Sequence, residues 1–195
     1  LFPLPNAKIA ITVFILLFFG LFPLIMSDYY LSIINLCAIA SVGALGLNIL
    51  VGYTGQISVG HAAFMSVGAY TAANLATKLD LPFWITLPAG GFMAMFVGIL
   101  VGLPSLRVKG LYLAIATLAA QFIIEWIINH TPAISGGVQA SIAVPRPNLF
   151  GWEMDTQREM YFFLMVVLAL AVVGALNLVR SRIGRAFIAI RDQEI

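Results

Sequence analysis

The stretch that most constrains this chain is residues 48–70, which read NILVGYTGQISVGHAAFMSVGAY. A long apolar segment stops at a glycine-rich break that carries hydroxyl groups, and a second apolar segment begins at His61. Hydrocarbon offers no water to free backbone N–H and C=O groups, so such a break persists near membrane depth only where protein buries it or where it lines a wet cavity. Transporters place broken helices at substrate paths. The stretch therefore predicts a translocation path at residues 52–60.

The composition indicates a polytopic integral membrane protein. Hydrophobic residues make up 62% of the chain and charged residues only 9%, where soluble domains carry about 25% charged residues. So few charges could not cover the surface of a soluble protein of this length. The single cysteine, Cys37, lies inside an apolar segment, which excludes a disulfide framework and favours a packing role.

Six segments are close to the roughly 20 apolar residues that a helix needs to cross a bilayer. They predict an all-α transmembrane bundle. The small residues at Gly98 and Gly102 form a spacing that lets another helix approach closely. The predicted spans are Ile9–Met26, Tyr30–Val51, His61–Thr77, Phe83–Leu103, Leu111–Asn129 and Met160–Val179.

The distribution of basic residues predicts the orientation, because cytoplasmic loops carry an excess of Lys and Arg. With the N-terminus, 104–110 and 180–195 inside, seven basic residues are cytoplasmic and three are external. The inner set is Lys8, Arg107, Lys109, Arg180, Arg182, Arg185 and Arg191, and the outer set is Lys78, Arg146 and Arg158.

The break supplies most of the candidates for a substrate pathway. Its glycines permit backbone angles and close approaches that other residues resist, and its polar groups could contact a solute. A helix beginning near 58–61 would present free N–H groups suited to a carboxylate. The alternative is an ordinary cytoplasmic turn whose small residues serve helix packing. The candidates are Gly55, Gln56, Ser58, Gly60 and His61.

His61 and Glu125 carry the remaining polar chemistry near the spans. His61 could be a ligand, a proton relay, a helix cap or a structural polar contact, and a metal site is disfavoured because His130 lies on the other side. Glu125 lies in the fifth span, with Gln121 on the same helical face. An acid there either faces a wet path or extends toward the nearby membrane surface.

Two loops are long enough to have a function. Residues 130–159 are rich in Pro, Gly and aromatic side chains, which predicts a packed external cap. Residues 180–195 are basic and amphipathic, with Ile183, Phe187 and Ile190 on one helical face. This second loop is either a juxtamembrane helix on anionic lipid or a helix that docks into a cytosolic partner.

The sequence contains no enzyme signature. It lacks a Walker-type GxxxxGK[ST] loop, so the chain does not itself bind and hydrolyse ATP. It also lacks GxSxG, HExxH and CxxC motifs.

Four motifs, in order, resemble the permease subunits of bacterial branched-chain amino-acid ABC importers, and the pattern is closer to the LivM-like type. The first is 52–64 with Gly68-Ala69-Tyr70, and the second is 106–118. The third is Ser135-Gly136-Gly137, and the fourth is 181–186 with the following residues to 195.

The resemblance implies a type II-like importer in the inner membrane, built from two permease subunits, two cytosolic ATPases and a periplasmic binding protein. ATP and Mg would bind to the ATPases, so no cofactor is expected in this chain. Residues 180–195 would be the loop that docks on the ATPase. The implied docking residues are Arg182, Ile183, Gly184, Arg185, Phe187 and Arg191.

The resemblance covers nearly the whole chain, yet family members run on for about a further hundred residues. Residues 1–195 are therefore expected to be the first part of a longer permease domain. Relatives often have another glycine where Val138-Gln139-Ala140 stands here. Permeases for urea or short amides share the signature, so the substrate stays open. An energy-independent channel or secondary carrier is the alternative of another class, and a plain membrane anchor explains the break poorly.

Overall fold

The computed structural model describes residues 20, 23–24, 26–105, 108, 110–136, 142–149 and 152–193. Apart from one short hairpin, the described chain is helical, which confirms the predicted all-α membrane fold. The elements, in order, are α1 (Asp28–Asn48), a π-helical segment (Ile49–Tyr53), α2 (His61–Lys78), α3 (Phe83–Ser105), α4 (Leu111–His130), α5 (Pro132–Ser135), β1 (Asn148–Leu149), β2 (Trp152–Glu153), α6 (Gln157–Arg180) and α7 (Arg182–Gln193).

Among the described residues, four helices have the length and apolar composition needed to cross a membrane. They are α1 with its π-helical extension, α3, α4 and α6. The predicted third span forms as α2 but is not among the four, because His61, Asn74 and Lys78 make it more polar. The predicted first span, Ile9–Met26, lies almost wholly outside the described residues.

Helix ends follow the local sequence. α6 begins three residues before the predicted Met160, since Thr156 and Glu159 form a capping box in which the Thr156 N–H donates to Glu159 Oε2 at 3.3 Å. α5 ends at Gly136, whose φ of 79° is the left-handed conformation that closes many helices.

The helices pack as two groups. α1 pairs with α6, where the Asn35 side-chain amide donates to the Gln157 carbonyl oxygen at 3.1 Å. α2 pairs with α3, and an added Cβ at Gly90 would lie 2.6 Å from the Gly68 carbonyl oxygen. Glycine at this crossing lets the two backbones approach closely.

α4 closes the second group against α2. The centre of this contact is a small apolar cluster, with Ala63, Ile124 and Ile128 buried and Val67 and Val101 packed around them. The opposite end of α2 is held by Asn74, whose side-chain amide donates to the Ile134 carbonyl oxygen at 2.7 Å.

Much of the apolar surface is uncovered within the described chain. Phe92 is 64% exposed, Phe122 is 63% exposed and Leu170 is 67% exposed. In water such surface would be costly, but in a bilayer it meets lipid or a partner helix. Added Cβ atoms at Gly98 and Gly102 would meet open space, so the helix expected against this spacing stays a prediction.

The predicted external cap is partly described. β1 and β2 pair antiparallel, with Leu149 opposite Trp152. The Arg146 guanidinium forms an ion pair with the Asp155 carboxylate. We refer to this side of the bundle as the hairpin end and to the opposite side, where α7 lies, as the α7 end. The predicted glycine pair at 136–137 is described only at Gly136.

Candidate functional site: a broken helix and the helix beside it

α1 ends through a change of helical register. The backbone widens to a π-helix over Ile49–Tyr53, and the Thr54 hydroxyl donates to the Leu50 carbonyl oxygen one turn earlier. Gly55 then has a φ of 73°, a conformation in which a side chain would be strained. π-helical turns are rare and often occur at functional sites. The sequence predicted the break but not the π-helical segment.

The break packs against α4. The Val59 N–H donates to the Thr117 hydroxyl at 3.1 Å, and that hydroxyl donates to the Ala114 carbonyl oxygen at 2.9 Å. Thr117 is six residues into α4, which places this contact about 9 Å along that helix from its first residue. The backbone at Val59 is therefore level with the second turn of α4, one of the helices long and apolar enough to cross a membrane.

Gly60 is buried at the closest approach between the break and α4. An added Cβ would lie 2.5 Å from the Thr117 carbonyl oxygen, so glycine is needed for space. Its φ of −87° is ordinary. Gly60 precedes the first residue of α2, where no side chain caps the helix. The start of α2 thus keeps the partial positive charge that the sequence predicted there.

His61 lies between two helices. An added Cβ at Gly46 would be 3.4 Å from His61 Cε1, and one at Gly43 would be 3.9 Å from its Nε2. These two glycines on α1 make room for the imidazole one turn before the π-helical segment. This geometry agrees with the packing alternative, and His61 as a whole is half-buried.

Gln56 and Ser58 complete the break and are half-buried. The fold does not place Glu125 near Gln56 and Ser58. It is an exposed residue of α4, eight residues beyond Thr117 and therefore about 12 Å farther along the helix. Five of the six predicted pathway residues thus form one contiguous segment, and the role of Glu125 stays a prediction.

α7 follows α6 through a tight corner. The Ser181 hydroxyl accepts from the Ile183 N–H at 3.2 Å and donates to the Leu178 carbonyl oxygen at 2.6 Å. One side chain therefore caps the start of α7 and gives a carbonyl group at the end of α6 a hydrogen-bond donor. Gly184 is buried against the backbone of Val179, and an added Cβ would be 2.6 Å from the Val179 Cα. This intramolecular contact by itself accounts for glycine at 184.

The predicted docking residues divide between two faces of α7. Gly184 faces α6 and Phe187 is half-buried, while Ile183 is 55% exposed and Ile190 is 43% exposed. Arg182 and Arg185 are exposed as well. The outward surface of α7 is therefore apolar along one strip and basic beside it, as the sequence predicted.

Arg191 differs from the other arginines of α7. Its Nη1 lies 3.4 Å from the Gly52 carbonyl oxygen, which belongs to the π-helical segment. Its Cγ lies 2.9 Å from the position of an added Cβ at Gly55. The structure thus brings a predicted docking residue into contact with the predicted pathway segment, a contact between residues 139 positions apart that no local pattern could indicate.

Two cavities lie toward the hairpin end. One, of about 800 Å³, is bounded by the end of α2, the start of α3 and the 144–148 loop, and Trp84 and Arg146 are in its lining. The other, of about 470 Å³, lies between α2, α3 and α4. Its walls are largely apolar, and within the described part of the chain Asn74 Oδ1 at its edge is buried without a hydrogen-bond partner.

The fold and the break define a multi-pass helical membrane protein with an interrupted helix. Residues 29–195 match the family described as branched-chain amino acid transport system / permease component. The chain belongs to this family, whose members are transport proteins and not enzymes. Permease subunits of this family bind no cofactor.

Two curated relatives extend this result. The chain is 35% identical to the high-affinity branched-chain amino acid transport system permease protein LivM of Escherichia coli (strain K12), over 89% of this chain and 46% of the relative. It is 32% identical to the LivM protein of Salmonella typhimurium (strain LT2), over the same shares. The chain thus spans about half the length of these relatives. No solved structure matches it.

Proposed function

We propose that this chain is part of a permease through which an ATP-driven importer carries branched-chain amino acids, with residues 55–61 as part of the path. The observation that carries the proposal is the contact between Val59 and Thr117, which holds non-helical backbone against α4 about 9 Å along that helix from its first residue. Within a membrane, irregular backbone is tolerated where it is buried or lines a wet cavity, and the half-buried Gln56 and Ser58 supply polar groups at the break.

The family and the relatives support leucine, isoleucine or valine as the substrate. The start of α2, without a side-chain cap, would favour the substrate carboxylate as it passes. The cavity of about 470 Å³ has largely apolar walls, which suit a branched aliphatic side chain better than the polar surface of urea or a short amide. Those compounds remain the alternative substrates of the same type of permease.

The proposed assembly has a second permease subunit, two cytosolic ATPase subunits and a periplasmic binding protein. The ATPase would contact the outward surface of α7, with Ile183, Phe187 and Ile190 as apolar anchors and Arg182 and Arg185 at the rim. A helix placed in a groove obtains most of its binding energy from a few buried anchors, and charges at the rim add orientation. Glu125 is kept as a candidate pathway residue.

The proposed orientation has the N-terminus and α7 on the cytoplasmic side of the inner membrane, with the hairpin end outside. Single cysteines at Asp155 and Ala186, both exposed, test it in a Cys37→Ala background. An impermeant thiol reagent added to intact cells should label the first position only. Labelling of both from the same side would exclude this orientation.

The function is tested by reconstituting the full-length permease with its partner subunits in vesicles. Labelled leucine should enter only when ATP and the binding protein are present, and unlabelled isoleucine or valine should compete while urea should not. Uptake without ATP would instead show a channel or secondary carrier. Competition by urea or acetamide, but not by isoleucine, would assign the permease to the amide type.

The docking surface is tested in the same assembly by Phe187→Ala. Loss of a half-buried aromatic anchor should weaken capture of the ATPase subunit and lower uptake, while insertion into the membrane is retained. If α7 instead lies on lipid, neutralising Arg182 and Arg185 should have the larger effect and Phe187→Ala should leave capture unchanged. Gly184→Leu is unsuitable here, because Gly184 packs against Val179 within the chain.

A further inference from the structure

We infer that Arg191 is a positioning residue that ties α7 to the broken helix, so that movement of α7 is passed to residues 52–60. The inference rests on the proposed function, since it concerns how an ATPase bound at α7 would act on the path. It also gives Arg191 a different role from the docking role that the sequence suggested.

The tie consists of two contacts made by one side chain. The guanidinium donates from Nη1 to the Gly52 carbonyl oxygen at 3.4 Å, and the aliphatic stem lies over Gly55, where its Cγ is 2.9 Å from the position of an added Cβ. The first contact holds the π-helical segment, and the second covers Gly55, which follows the end of that segment. Both depend on where α7 is placed.

The chemistry of the broken helix explains why an arginine fits there. The last carbonyl groups of a helix have no partner within it, and they carry partial negative charge. Gly52 lies in this last turn, so its carbonyl oxygen is a good acceptor for a cation. Gly55 has no side chain and a φ of 73°, which leaves its surface open to the stem of Arg191.

The position of Arg191 on α7 separates it from the docking surface. Residues 184, 188 and 191 share one face of the helix, and that face is directed to α6 and the π-helical segment. Arg182 lies away from that face and is exposed. A partner that binds the outward surface would therefore act on the break through the opposite face, with Arg191 as the connection.

The consequence is a direct route from the docking helix to the path. α7 is anchored to α6 by Ser181 and Gly184 and to the break by Arg191. A tilt of α7 together with the end of α6 would move the far end of α7 most, and Arg191 lies near that far end. The break, which has no regular helix to resist movement, would follow.

The first measurement is amide hydrogen exchange in the full-length permease without partners. Arg191→Ala should speed exchange at residues 53–58, because the π-helical segment loses its tie. Arg191→Lys keeps the stem and a cation, so it should restore most of the protection. Arg180→Ala, which removes an exposed arginine at the end of α6, is the matched control and should leave exchange in the break unchanged.

The second measurement is leucine uptake per ATP hydrolysed in the reconstituted assembly. Arg191→Ala should lower this ratio by about ten-fold, within the usual range of coupling between sites, while capture of the ATPase stays as in the unaltered permease. Arg191→Lys should recover most of the ratio, and Arg180→Ala should not change it.

Several results would overturn the inference. Unchanged exchange at residues 53–58 in Arg191→Ala would exclude the tie. Loss of ATPase capture in that variant would place Arg191 in the docking surface, and an equal loss of coupling in Arg180→Ala would indicate a general effect of charge. If the unaltered permease shows no ATP-dependent uptake, the proposed function is wrong, and so is the idea that movement of α7 is passed to residues 52–60 during transport. The exchange experiment would still decide whether Arg191 ties α7 to the broken helix.

Discussion

Two interruptions of helix lie at the α7 end of this molecule, and they are built in opposite ways. The corner between α6 and α7 is held by neighbours in sequence, since Ser181 caps the next turn and Gly184 packs against Val179. The break between α1 and α2 is held by residues far away in sequence, namely Thr117 on α4 and Arg191 on α7.

This difference between the corner and the break indicates which of the two can move. A corner fixed by its own residues keeps its shape whatever the other helices do. A break whose contacts come from α4 and α7 changes when those helices shift, because its own residues supply little regular hydrogen bonding. Local stability in proteins varies in this way, and moving elements come from the less stable segments.

Gly184→Ala should have the largest effect, because it adds a methyl group at the corner between α6 and α7. The new methyl group would collide with the Val179 carbonyl group, and neither backbone can move far within a tight turn. We expect a loss of about 3 kcal/mol in folding free energy, at the upper end for overpacking. The measurement is the thermal unfolding temperature of the full-length permease in detergent.

Gly174→Ala on α6 is the control for this variant, because nothing lies within 4 Å of the added Cβ. Replacing glycine by alanine in an open helix position should stabilise it by up to about 1 kcal/mol. The two substitutions should thus change the unfolding temperature in opposite directions. An unchanged temperature in Gly184→Ala would show that the corner is looser than its contacts indicate.

Gly60→Ala should have the next largest effect, because it adds a methyl group where the break between α1 and α2 meets α4. The methyl group would lie 2.5 Å from the Thr117 carbonyl oxygen, but the break can yield where the corner cannot. We expect a stability loss nearer 1 kcal/mol, at the lower end for overpacking, and a much larger loss of leucine uptake. Uptake and the amount of permease in the membrane should be measured together.

Gly91→Ala is the matched control, since an added Cβ there meets open space in the described chain. It should leave both uptake and membrane amount unchanged. If Gly60→Ala transports normally at normal abundance, residues 52–60 form an ordinary turn and their place on the path is excluded.

A smaller effect should follow Thr117→Val, which removes the hydroxyl that holds Val59. A hydrogen bond of this kind contributes about 1 kcal/mol, so the Val59 amide should exchange several-fold faster. Thr117→Ser keeps the hydroxyl and should preserve the protection. If the Val59 amide exchanges at the same rate in the valine variant as in the unaltered permease, α4 does not hold the break through this bond.

The sequence predicted the helices of this fold well because their ends carry local signals. His61, Phe83 and Leu111 were each predicted as the first residue of a helix, and the structure places helix starts there. Hydrophobic runs and the Gly and Pro residues between them determine such limits. The start of α6 was less accurate, since the Thr156 cap extends the helix into polar residues that a hydrophobic run does not include.

The contacts of the candidate site could not be predicted in the same way. Thr117 and Arg191 have ordinary surroundings in the sequence, and their roles arise only when α4 and α7 meet the break. Gly184 is predicted as a docking residue, but the backbone that it packs against is that of Val179 in the same chain. A glycine indicates that backbone comes near without indicating which backbone.

The smallest effect should follow Ser181→Ala, and it tests whether the corner is local. Losing the cap should cost about 1 kcal/mol in the first turn of α7, because the Ile183 and Gly184 N–H groups lose their acceptor. Their amides should exchange faster, while the amides of residues 53–59 should be unaffected, since Arg191 lies at the other end of α7. Faster exchange in the break as well would show that the corner and the break open together, and the contrast between a local corner and a break held from a distance would then be wrong.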